Sequence, residues 1–158
     1  MQNRASLFPS DAPCDLFSLL QRALGPRDGM LVSLLAYSGL RPQEAVRRRW
    51  GHVMERTMVV HAPKTRRHNP QPRTVKLLGP LRKDLLEWQM AYGRPSDDKP
   101  IIPGARGGPW TDDRYHQWRS KVWKPTLKPA KVPYQVPYDL RHSFASLLLH
   151  EGRSVIYV

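Results

Sequence analysis

Apolar residues recur at helical spacing from Asp15 to Leu24, where Leu16, Phe17, Leu19, Leu20 and Leu24 predict a short helix. Met30 to Tyr37 repeats the pattern with Leu31, Leu34 and Leu35, and Gly39 stands where a helix ends in a left-handed residue. Pro42 fits a first helical position, with Glu44 in the first turn and Ala45, Val46 and Trp50 on the apolar side. Arg41 is therefore expected at the junction of two helices, pinned by packing on both sides. The period then changes. Met58–His61 and Arg73–Leu78 are β-prone and predict a hairpin whose long basic tip runs from Lys64 to Pro72.

Helical spacing returns from Pro80 to Tyr92, with Leu81, Leu85, Trp88 and Tyr92 on one side. Pro95–Lys99 reads as a loop and Ile101–Ile102 as a short buried strand. Gly104, Gly107 and Gly108 mark a turn that leaves Trp110 exposed. Asp112–Trp123 predicts a helix, with Tyr115, Trp118 and Val122 inward and Arg119 and Lys121 outward. Four prolines make Lys124–Pro137 an extended connector. Asp139 is expected to N-cap a last helix carrying Leu140, Phe144, Leu147 and Leu148, which Gly152 ends. Ser154–Val158 opens a further element. Trp50, Trp88, Trp118 and Trp123 are expected in the core. The sum is a mostly α fold with a small antiparallel β-sheet (α+β), one domain over residues 13–158 after a polar lead-in at 1–12.

Composition sharpens this picture mainly through charge. The 158 residues hold 26 Lys+Arg against 13 Asp+Glu, a net charge of +13. The excess is clustered: Arg41 to Lys83 contains twelve cations and two acids, and Arg114 to Lys131 six cations and no acid. Such blocks suit the phosphates of a nucleic acid better than a membrane surface, for which no basic amphipathic helix with an aromatic face is present. The aromatics sit on apolar helix faces and do not form the stacking platforms of an RNA-binding or ribosome-associated protein. One cysteine, Cys14, excludes a disulfide scaffold and a Cys-rich zinc site. His52, His61, His68, His116 and His150 lack metal-ligand spacing, so no metal or cofactor is expected. No long apolar run suggests a membrane span or a signal peptide. A cytoplasmic protein is expected.

The densest chemistry lies at Tyr138-Asp139-Leu140-Arg141-His142-Ser143-Phe144-Ala145-Ser146. An arginine and a histidine sit in the first turn of a helix, where backbone N–H groups favour an anion. Arg41 lies at a second helix mouth and Lys64 on the basic hairpin. Converging, these groups make a phosphate clamp. Each has an ordinary reading too. Arg41 can brace packed helices, Lys64 can be one solvated lysine beside Arg66, Arg67 and Lys76, and His142 can support rather than touch the anion.

Ser38-Gly39-Leu40-Arg41-Pro42-Gln43-Glu44-Ala45 resembles the first-arginine box of the tyrosine recombinases, the phage integrase family. Asp139-Leu140-Arg141-His142-Ser143-Phe144-Ala145 resembles their second-arginine box, with the hairpin lysine between the two. The resemblance implies metal-free DNA strand exchange on duplex recombination sites, with other recombinase protomers as partners in a synaptic complex, in a bacterial or phage, nucleoid-associated setting. A tyrosine hydroxyl attacks the scissile phosphate and the 5′-oxygen leaves. Arg41 and Arg141 match the arginines that hold the non-bridging oxygens. Lys64 matches the lysine that protonates the leaving oxygen. His142 matches the histidine after the second arginine, and Glu44 the acid that supports the first. Arg66, Arg67, Arg73, Arg119 and Lys121 are the expected DNA-binding cations. Tyr138 stands where the family usually has histidine. It is a poorer base and suits packing or a hydrogen bond to phosphate. The family's nucleophilic tyrosine lies well beyond the second arginine, whereas this chain has seventeen residues after Arg141, and Tyr157 comes too early. The expectation is a catalytic domain incomplete at its C-terminus and without the N-terminal core-binding domain. The alternative is a non-catalytic DNA-binding remnant of a mobile element.

Overall fold

The computed structural model describes residues 13–61, 71–150 and 152. The lead-in, the hairpin tip up to residue 70 and Ser154–Val158 lie outside the described residues, so Lys64, Arg66, Arg67 and Tyr157 have no described position. Helix α1 (Pro13–Leu24) is followed at once by α2 (Pro26–Ser38), whose Pro26 occupies the first turn, where its missing N–H costs nothing. Every residue of α2 from Asp28 to Ser38 is buried. A helix apolar on all sides belongs at the centre of a bundle. Short α3 (Pro42–Ala45) and a 3₁₀ turn at Trp50–His52 lead to strands β1 (Thr57–Val60) and β2 (Arg73–Lys76). The strands pair antiparallel, with Thr57 opposite Lys76 and Val60 opposite Arg73. Helix α4 (Gly79–Ala91) follows, then α5 (Asp112–Trp118), a π-helical segment Arg119–Trp123, α6 (Lys124–Leu127) and α7 (Asp139–His150). Helices α1, α4 and α7 all pack on α2. The mostly helical, two-stranded architecture is the one that the hydrophobic pattern predicts. No helix among the described residues is long and apolar enough to cross a membrane.

Four local expectations are corrected. Ile101 and Ile102 are fully buried but form no strand, because Pro100 and Pro103 flank them and remove donors. One bridge, Arg49 to Pro100, and the Ile101 N–H on the Arg48 carbonyl hold them. Trp110 is buried, its ring edge-on to Trp118 at 5.9 Å and under the Arg27 guanidinium. The helix from Asp112 does not stop at Trp123. It widens into a π segment, in which the Lys124 N–H reaches the Arg119 carbonyl five residues back, and continues through Pro125. Proline supplies no N–H and crowds the carbonyl four residues before it, and a wide turn absorbs both effects. The widening brings Trp123 inward beside Trp118, at 5.8 Å between rings, and leaves Val122 only half-buried. Finally, Asp139 lies inside the first turn of α7. Its carboxylate accepts the Val136 N–H at 3.0 Å and closes the entering turn.

Candidate functional site

The site forms where α2 ends. Gly39 adopts the left-handed conformation, φ 65° and ψ 21°, and closes the helix. A Cβ there would sit 2.4 Å from Phe144 on α7, so the position needs glycine both for its backbone and for the close approach of α7. That approach lets the Arg141 guanidinium donate to the Gly39 carbonyl at 2.7 Å. Two segments a hundred residues apart are thereby joined, with Arg141 held against the backbone two residues before Arg41.

Arg41 leads into α3. Leu40 and Pro42 are buried on either side, which fixes its backbone, but its side chain is 52% exposed. Packing pins the main chain and leaves the guanidinium in solvent, a correction to the expected pinning. The Arg41 N–H donates to Glu44 Oε2 at 2.9 Å, and its Nη1 lies 3.4 Å from Oε1, a long contact. The Glu44 carboxylate, 1% exposed, has a stronger partner in Arg73, which grips it with two parallel bonds of 2.9 and 2.8 Å. Burial alone would push the Glu44 carboxyl up. The bonds from Arg73 and from the Arg41 backbone outweigh burial and hold it below the ordinary carboxylate value. The same pair raises Arg73.

Arg48, buried, completes the scaffold. It donates to the Glu44 carbonyl at 2.9 Å and to the Val59 carbonyl of β1 at 2.9 Å. Burial lowers its pKa, and the Glu44 charge opposes that. Arg48 from one side and Arg73 from the other thus tie both strands to α3 at the end from which the hairpin tip departs.

At the mouth of α7, the Tyr138 and His142 rings meet edge to face at 5.4 Å, and both residues are exposed. Arg41, Glu44, Arg73 and Arg141 therefore gather around one helix junction, and Tyr138 and His142 stand at the mouth of the helix that carries Arg141. Arg119 and Lys121 are exposed on the π segment. Sequence reading missed Arg48 and the pairing of Arg73 with Glu44. Arg48 carries a weak signal, four residues after Glu44 on a helical turn. The Arg73 pairing spans 29 residues and has none.

No family model matches the sequence, and no curated protein does. Solved structures do. The crystal structure of XerA recombinase aligns over 98% of this chain and 54% of its own, with a TM-score of 0.73 and 22% identity. The fold is that of a tyrosine recombinase catalytic domain. The Tn1549 transposon integrase, in complex with transposon right end DNA, covers 99% of the chain at a TM-score of 0.69 and 15% identity, and 59% of itself. Lambda integrase bound to DNA covers 87% at 0.63 and 13% identity, and 50% of itself. The chain thus spans between half and three fifths of the length of these recombinases. In this chain, the segments that carry Arg41 and Arg141 meet at the end of the central helix α2.

Proposed function

We propose that this chain is a DNA-binding domain that grips one phosphodiester in the manner of the tyrosine recombinases, as part of site-specific DNA recombination or integration. The observation that carries the reading is the bond from Arg141 to the Gly39 carbonyl, which holds the second arginine against the backbone two residues before the first. Arg41 and Arg141 take the two non-bridging oxygens and stay charged as negative charge builds on the phosphorane. His142 adds a donor, and Tyr138 orients its ring through the edge-to-face contact. Glu44 supports Arg41 through the backbone bond, while Arg73 takes up the carboxylate's charge and leaves the Arg41 guanidinium available to the anion. Lys64, on the hairpin, is the proposed acid for the leaving oxygen. Arg66 and Arg67 beside it, with Arg119 and Lys121, are proposed to track the duplex. Partner protomers on the same DNA belong to this reading; a lambda integrase dimer has been solved bound to a core site.

Inorganic phosphate tests the clamp directly. Added to the chain, it is expected to shift the His142 ring resonances in NMR spectra, with affinity down about tenfold in Arg41→Ala and in Arg141→Ala, the worth of one charge-assisted bond. Resonances that do not move, or variants that bind phosphate as well as the wild type, would overturn the clamp.

A further inference from the structure

The helical stretch from Asp112 ends in a Schellman motif. The Val132 N–H reaches the Leu127 carbonyl at 3.0 Å, the Lys131 N–H reaches that of Lys128 at 3.0 Å, and the apolar pair Leu127 and Val132 is buried. Lys131 occupies the left-handed position, φ 56°, where glycine is the usual residue. A side chain there strains the backbone. Its ammonium is exposed and has no partner among the described residues, so the lysine side chain itself makes no described contact that offsets that strain.

Lys124 and Lys128 precede it by helical spacing, both exposed and without a carboxylate partner among the described residues. The helix dipole favours cations at this end, which accounts for these two but not for a lysine in a glycine position. Lys124 lies 5.7 Å over the ring of Tyr134, itself 63% exposed, and the Trp123 indole N–H holds the Gln135 carbonyl at 2.8 Å. The connector is thus fastened back along the helix. Four residues after Tyr134 the same stretch of chain arrives at Tyr138 and the mouth of α7.

We propose that Lys124, Lys128 and Lys131, with Tyr134 beneath Lys124, form a ridge that contacts the phosphates of duplex DNA flanking the one held at Arg41 and Arg141. The ridge rests on the reading of DNA as the partner, and supplies the sequence-independent part of the grip.

The test uses the whole 158-residue chain and a fluorescent duplex of arbitrary sequence, with anisotropy followed across a salt series. Each lost phosphate contact lowers the slope of log affinity against log salt by about 0.9. Lys131→Gly is expected to lose about one such step while its melting temperature rises. Lys124→Gln with Lys128→Gln is expected to lose about two. Arg94→Gly is the control, because Arg94 is the other described non-glycine residue with positive φ, 52°, and lies at the end of α4. It should gain stability and keep the wild-type slope. Ridge variants with the wild-type slope, or Arg94→Gly losing as much as Lys131→Gly, would overturn the ridge alone. A wild-type chain whose binding ignores salt would overturn the DNA reading with it.

Discussion

Glu44 decides how the first arginine is presented. It is a buried carboxylate shared between a half-exposed Arg73 and the Arg41 backbone, so its removal strands cations rather than one bond. Glu44→Gln is expected to cost about 2 kcal/mol, below the figure for a fully buried pair because Arg73 can rehydrate. The sign of its pH dependence follows from the lowered carboxyl value. The contribution is fully present above the ordinary 4.5 and is lost as pH falls through the folded-state value. Urea midpoints measured down the acid range should therefore fall more steeply in wild type than in Glu44→Gln. Parallel curves would show that the carboxylate is not held as described.

Among the elements, the π segment is where expectation and structure part. Regular α-helical spacing places Val122 inward after Trp118; the widened turn places Trp123 there instead. Trp123→Ala is expected to cost about 4 kcal/mol and Val122→Ala about 1 kcal/mol, read from chemical denaturation. The reverse order would restore the straight helix. Elements with a strong period were legible in the sequence: α1, α2, α4 and α7 fall within a few residues of their predicted bounds, and the hairpin has its predicted strands. What was not legible depends on contacts across the chain. Four prolines suggested an extended connector, yet Pro125 sits inside a helix because the turn before it widens. Ile101 and Ile102 carry the apolarity of a strand, but flanking prolines deny them a ladder. The meeting of the Arg41 and Arg141 segments was legible only through the two boxes, because a helix-mouth arginine alone also reads as a brace between packed helices. The partner of Glu44 did not, because an arginine on a β-strand looks the same whether it faces solvent or a buried acid.

For the molecule as a whole, the proposed function separates binding from cleavage. Among the described tyrosines, Tyr37 and Tyr115 are buried, Tyr92 stacks on Trp88, Tyr134 lies under Lys124, and Tyr138 meets His142. Burial also pushes the Tyr115 hydroxyl up to about 12. In the proposed function none of these five is assigned the attack on a phosphate at Arg41 and Arg141. Incubated with a nicked suicide duplex, this chain is expected to give no covalent adduct on a denaturing gel. An adduct that disappears in Tyr157→Phe or Tyr138→Phe would reverse this and name the nucleophile.

The bond between Arg141 and the Gly39 carbonyl also bears on how the protein is made. The first arginine leaves the ribosome before the second, together with the central helix it follows. The second arrives a hundred residues later, on a helix that must find the same glycine. Until then the nascent chain carries a basic helix mouth like many others, with no means of singling out a backbone phosphate. Translation therefore delays the proposed grip on DNA until both arginine-bearing segments have been made.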